Sequence, residues 1–164
     1  MLVASNVLGR LALLVEEAVL MSPEVAGNEA PELASGYLAV ISQSSNAVLL
    51  VQQIGDVPLD QVPRCFNNSL ECCRRIRFEQ PRLLTSWGRT VYGQEIPNSI
   101  SIACGDLIIG FSGLKNYANL AVLLWATRRM SWTSNERIQA ILEVSRDTNA
   151  PITTEQFLAA LEAV

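Results

Sequence analysis

The chain has 164 residues, of which 49% are hydrophobic and 17% charged, and it carries a formal net charge of −4 with no histidine. Such a length and apolar content suit one folded domain with a real core, and the acidic balance argues against nucleic acid or an anionic membrane surface as a partner. The missing histidine removes the side chain used most often as a general base near neutral pH and as a metal or haem ligand, so most familiar catalytic constellations are excluded.

The amino-terminal stretch from Met1 to Leu20 is apolar, but it lacks an initial basic region and carries Glu16 and Glu17 where a cleavage region would follow. It therefore reads as an amphipathic helix rather than a signal peptide. Val3, Val7, Leu11, Leu14 and Ala18 recur at three- and four-residue steps, which predicts a helix from Val3 to Leu20 that ends before Pro23. The Pro-, Gly- and Glu-rich run after it reads as a loop. Gly36 to Ser42 and Ala47 to Ile54 are expected to pair as a hairpin around Gln43-Ser44-Ser45-Asn46.

A second helix is expected from Asp60 to Phe78, with Asp60 as its cap, Phe66, Leu70 and Cys73 along one face, and Pro81 closing it. Arg82 to Pro97 has no clear period, so it is an irregular lid-like loop or a loop holding one short strand. Ser99 to Ser112 reads as two apolar strands joined by Gly105-Asp106, and Gly in the first central position suits a type II′ turn. Tyr117 to Met130 is apolar on most sides and should be a helix buried against the sheet, with Arg128 and Arg129 at its carboxy-terminal dipole. Two tail helices follow, because Thr133 with Glu136 and Thr153 with Gln156 have capping-box spacing. Their apolar stripes are Ile138, Ile141 and Leu142, then Phe157, Leu158 and Leu161. Asp147-Thr148-Asn149 is no calcium loop, since Ala150 and Pro151 stand where an EF-hand needs a ligand spacing and glycine.

The expected class is α+β: an antiparallel sheet of two hairpins with packed helices, residues 1–130 forming the main domain and residues 131–164 a helical extension packed on it. The longest apolar runs fall far short of the roughly 20 residues needed to cross a bilayer. The four cysteines, Cys65, Cys72, Cys73 and Cys104, include no CxxC pair, so no zinc site is expected and reduced thiols in the cytoplasm are the default. Arginines beside Cys65, Cys72 and Cys73 would favour their thiolates. Six arginines between Arg64 and Arg89 make the middle of the chain locally basic; they either receive an anion or pair with acidic residues of the first helix or the tail.

This layout resembles the family of the GlcG protein of glycolate operons, the haem-binding HbpS-like proteins and the carboxy-terminal domain of PduO. Leu107-Ile108-Ile109-Gly110-Phe111-Ser112-Gly113 is similar to that family's strand ending in Ser-Gly, Gly105-Asp106 resembles the preceding turn, and Ile54-Gly55-Asp56-Val57-Pro58-Leu59 resembles its link from first hairpin to second helix. The likeness covers residues 3 to 130. It implies a ligand-binding domain, with haem as one ligand. Without histidine, an axial ligand would have to be a residue such as Tyr37, Tyr92, Tyr117, Cys65 or Cys104.

Two functional expectations follow. In the first, the chain is a noncatalytic binding protein for a tetrapyrrole-like or other anionic ligand held between the Arg82 to Pro97 loop and the second hairpin. Arg89 would pair with a carboxylate or phosphate, Trp87 and Tyr92 would give flat contact surface, and backbone N–H groups at Ser112 and Gly113 would hold the anion. The competing reading packs Trp87 and Tyr92 as a loop plug and makes Ser112-Gly113 a turn. In the second, the chain is a homo-oligomeric adaptor of profilin-like or roadblock-like type whose tail helices recognise a protein partner. An enzyme is the least supported reading: Glu16 and Glu17 point about 100° apart on a helix, and Ser112 lies in no GxSxG spacing.

Overall fold

The computed structural model describes residues 5–26, 34–78, 84–86, 96, 98–145, 150 and 152–164. Among them the chain runs α1 (Ser5–Ala26), β1 (Gly36–Ser42), β2 (Val48–Ile54), α2 (Val62–Phe78), β3 (Ser99–Cys104), β4 (Leu107–Ser112), α3 (Asn116–Arg129), α4 (Asn135–Val144) and α5 (Thr154–Ala163). The strands form an antiparallel sheet in the order β2-β1-β4-β3, so the two hairpins lie side by side. β1 joins them, pairing with β4 from Tyr37 opposite Ser112 to Ser42 opposite Leu107. This is the α+β architecture the sequence predicts.

Local backbone chemistry sets both hairpins. Gly105 takes φ +59 while Asp106 stays out of the positive region, as a type II′ turn requires. Asn46, at φ +60, closes the first hairpin, in keeping with the tolerance of Asn for the left-handed region. Val40 pairs with Leu50 and Ile41 with Val48, so Leu49 is an extra residue that bulges β2.

The sheet buries its two faces differently. Leu38, Val40, Ile100, Ile102, Ile109 and Phe111 join the larger core cluster under α1 and α3. Ala39, Ile41, Ala103 and Ile108 meet α2 through Leu70, Cys72, Cys73 and Ile76. α2 lies close to β4 because Gly110 has no side chain: a Cβ there would stand 2.6 Å from Cys73 Sγ and 2.7 Å from the Ser69 carbonyl oxygen. α3 is buried without interruption from Tyr117 to Thr127. It packs on β3 and β4, on α1 and on α5, where Tyr117 meets Phe157 edge-on at 5.8 Å.

Several boundaries differ from those expected, each for a local reason. α1 continues past Pro23 to Ala26. Proline cannot give the N–H that would bond the Val19 carbonyl, and the Ser22 hydroxyl donates to that carbonyl instead, at 2.7 Å. The buried stripe of α1 is Leu8, Leu11, Ala12, Val15, Ala18 and Val19, with Val7 and Leu14 at its half-buried margin, while Val3 lies outside the described residues. α2 begins at Val62 rather than Asp60, because the Pro58 carbonyl accepts from the N–H groups of Gln61 and Val62 and the intervening residues form a turn. Phe66 sits at the exposed margin of α2, and Cys65, Ser69, Cys72, Cys73 and Ile76 point inward. Pro81 lies outside the described residues.

In the tail, α5 has the expected capping box, with Thr153 Oγ1 accepting from Gln156 N at 3.1 Å and Gln156 Oε1 accepting from Thr153 N at 2.9 Å. α4 is capped by Ser134, which accepts from Arg137 N, and not by Thr133. Thr133 is buried instead, donating to Thr127 Oγ1 at 3.0 Å beside the Cys104 thiol. Ile138, Ile141, Leu142, Phe157, Leu158 and Leu161 all enter the core, so the apolar stripes of the tail are part of the fold.

Phe157→Ala should cost about 3–5 kcal/mol of unfolding free energy through the cavity left between α3 and α5. Gly110→Ala should cost about 1–3 kcal/mol by pushing α2 off β4. Urea denaturation followed by circular dichroism checks both.

Candidate functional site

Two places on the described surface could carry function. The first is a cleft where α2, the outer edge of β3 and the start of α3 meet. The outer edge of β3 is met by a short segment: Thr85 bridges Ile102, Ser86 N–H donates to the Ser101 carbonyl at 3.0 Å, and Ala103 N–H donates to the Leu84 carbonyl at 3.0 Å. Of the Arg82 to Pro97 stretch, expected to be a lid-like loop or a loop with one short strand, residues 84–86 and 96 are described, and they make a single β-bridge. Beside it, Cys72 and Arg75 of α2, Ser86, Ser99 and Ile100 on the β3 side, and Asn116 of α3 line a cavity of about 10 Å³, which is roughly the room one water needs.

The polar lining of the cleft is bonded to itself. Ser99 N–H donates to Asn116 Oδ1 at 3.0 Å, Ser99 Oγ to Ser112 Oγ at 2.8 Å, and Ser101 Oγ to the Cys72 carbonyl at 2.6 Å. Arg75 Nε lies 3.4 Å from Glu71 Oε1, one helical turn back. The alternation of Ser99 and Ser101 along β3 aims both hydroxyls at the α2 side, a period-two signal present in the sequence.

Trp87, Arg89 and Tyr92 lie outside the described residues. Ser112 and Gly113 lie beside the cleft: the Ser112 hydroxyl accepts from Ser99, and Gly113 N–H donates to the Asn98 carbonyl at 3.1 Å. Leu114 N–H is likewise engaged, donating to Asn119 Oδ1 at 3.0 Å. Of the residues considered as haem ligands, Tyr37 donates its hydroxyl to Gln53 Oε1 at 3.0 Å, Tyr117 packs on Phe157, and Cys65 and Cys104 are buried. Tyr92 is again outside the described residues.

Burial pushes the Cys73 thiol up, reinforced by the neighbouring Cys72 and only slightly opposed by Arg74. The thiolate-favouring effect expected from adjacent arginines is therefore overcome at that position. Cys104 is raised by burial as well, with Thr133 and Arg137 opposing. Three arginines of α2 have partners: Arg75 with Glu71, Arg64 with Gln61, and Arg77, whose Nε donates to the Gln43 carbonyl at 3.1 Å. Among the described residues no group of three or more His, Cys, Asp or Glu side chains could hold a metal ion, and no helix is long and apolar enough to cross a membrane.

The second place is the outer edge of β2, which ends the sheet. Val48 and Leu49 are exposed there, Leu50 and Val51 are half-buried, and Gln52 and Gln53 are exposed. Pairing with Ile41, Ala39 and Tyr37 places Val48, Val51 and Gln53 on the sheet face that carries α2. On the same face Tyr37 meets Phe66 edge-on at 5.8 Å, and Phe66 keeps 39% of its surface exposed. The apolar edge thus continues onto the margin of α2. At the turn end of the strand, the Asp106 carboxylate accepts from Ser42 Oγ at 3.0 Å, Ser44 N at 2.9 Å and Ser44 Oγ at 3.1 Å.

Comparison with models of known protein families, with curated proteins and with solved structures returns no match.

Hydrogen bonds from Ser42, then from Ser44, lower the Asp106 carboxyl pKa. A carboxylate with a folded pKa below its unfolded value of about 3.9 adds stability above that pH. The contribution is lost as the pH falls through the lower folded value. Asp106→Asn should lower the melting temperature at pH 7 and flatten the acid limb of stability below about pH 4, as checked by thermal denaturation across pH 2 to 7.

Proposed function

We propose that the protein is a noncatalytic, self-associating domain that serves as a homo-oligomeric adaptor of profilin-like or roadblock-like type. The observation that carries this reading is the exposed apolar side chains Val48 and Leu49 at the outer edge of β2, with Phe66 exposed on the neighbouring margin of α2. Val48, Leu49 and Phe66 are more than a third exposed; Leu13, Leu20, Leu59, Val144 and Val164 are exposed too, but on helices, a loop and the chain end, where no unpaired strand edge lies beside them. Apolar surface of this kind marks contact with another protein, and a terminal strand offers unpaired backbone donors and acceptors as well. α5 buries its apolar stripe against α3 and α1, and the stripe of α4 joins the same core cluster, so a protein partner would recognise the outer, polar faces of the tail helices.

Sedimentation velocity and native mass spectrometry on the full chain test the reading. A discrete oligomer at micromolar concentration is the expected result, and a monomer throughout that range would overturn it.

A second reading, ligand binding, has for support in the structure a cleft with room for about one water, where Arg75, Ser99 and Asn116 converge beside the start of α3, a place for a small anionic group and not for a whole tetrapyrrole. The resemblance to the GlcG and HbpS-like family points the same way, with an anionic or tetrapyrrole ligand. Added haem should then raise the melting temperature of the wild-type protein, and Arg75→Ala and Arg89→Ala should reduce that rise. Haem that leaves both the mass and the melting temperature unchanged would remove haem from this reading.

A further inference from the structure

We infer that a second copy of this chain occupies the outer edge of β2, the two β2 strands running antiparallel about a two-fold axis near Val51 and joining two four-stranded sheets into one of eight. This rests on the self-association proposed above and names its interface.

The two sides of the sheet are finished differently. The segment at Thr85 and Ser86 adds backbone hydrogen bonds to the outer edge of β3. β2 has no such neighbour among the described residues. Edge strands usually resist pairing through lysine, inward-pointing charge, proline or strong bulging. β2 reads VLLVQQI, with no charge and no proline, and its bulge at Leu49 lies near one end. Seven residues extend roughly 23 Å at about 3.3 Å each, long enough for a ladder of several hydrogen bonds.

Charge selects the occupant. The chain carries −4 overall, so two copies repel unless they meet on neutral or complementary surface. β2 is neutral along its length, and its ends are flanked by opposite signs. Arg77 is tied to the Gln43 carbonyl at the turn end, and exposed Asp56 stands just beyond Ile54 at the other. Antiparallel pairing sets the Arg77 end of one copy against the Asp56 end of its partner, whereas parallel pairing would set like against like. Asp106 also lies at the turn end, but its carboxylate is held by Ser42 and Ser44 beside β4. A pair of strands alone falls short of the roughly 1,000 Å² expected of a stable interface. The apolar shelf of Val48, Val51, Tyr37 and Phe66 extends the contact toward α2.

Sedimentation velocity on the full chain tests this, using wild type, Val51→Lys and Leu49→Lys. Leu49→Lys is included because Val51 packs against the core beneath α2 and its replacement carries more risk to folding. The expected result is a wild-type dimer whose dissociation constant rises at least about tenfold in each lysine variant, with an unchanged far-UV spectrum. Mixing Val51→Lys with Val51→Glu in equal amounts should restore the dimer. A monomeric wild type would overturn both the self-association and this interface. A wild-type oligomer untouched by either lysine would overturn the interface alone. Monomeric lysine variants that the Lys–Glu mixture fails to reassemble would overturn two-fold pairing about Val51 and place the β2 edge against a different face of the second copy.

Discussion

The enclosure of α3 organises the molecule. From Tyr117 to Thr127 every residue is buried, so this helix has no solvent face and must be walled on all sides. The sheet covers one side, α1 another, and α5 a third. The tail is therefore part of the wall around the central helix and not an appendage to a finished domain. Two polar residues of α3 are bonded within the helix and its entry: Asn119 accepts from Leu114 N–H and donates to the Leu114 carbonyl, and Thr127 Oγ1 donates to the Leu123 carbonyl. Where the helix emerges, the Arg129 guanidinium lies 4.2 Å from the Trp125 ring centroid and shields its face.

The opposite face of the sheet follows a different rule. There α2 packs through small groups, with Gly110, Ala39, Ala103, Ser69 and Ser101 letting the helix approach closely. Close approach narrows the layer and leaves little internal volume, which is why the cleft beside Arg75 is so small. It also centres α2 over β1, β4 and β3. The margin of β2 remains at the surface, and the outermost strand shows solvent both its edge and part of its α2-side face.

Much of this was legible in the sequence. The second hairpin announced itself through Gly105 between two aliphatic runs, the first through its β-branched strands, and the capping box of α5 through Thr153 and Gln156. Boundaries were harder wherever a side chain could replace a missing backbone partner. Ser22 does so for the carbonyl facing Pro23, and Ser134 outcompetes Thr133 as a cap because Thr133 is drawn into the core. Of the residues at the cleft, the sequence pointed to Ser112 and Gly113 beside it, while the alternation of Ser99 and Ser101 on β3 is a signal that gains meaning only once α2 is seen to lie over that face. Arg75 and Asn116 come together from elements far apart in the chain, and no local pattern records such a meeting. The neutrality of β2 was plain to read, but its place at the end of the sheet depends on which hairpin strands pair, and that is decided by β1 and β4.

All four cysteines are buried, and they sit in separate parts of the packing: Cys65, Cys72 and Cys73 on α2, Cys104 under α3. A thiol reagent can reach any of them only when the layer above it opens. The order in which the thiols become alkylated is therefore a clock for the fold, set for the α2 layer by how often that helix lifts from the sheet and for Cys104 by how often the helical core on the other face comes apart. The same sequence thus carries an internal record of which half of the protein breathes first.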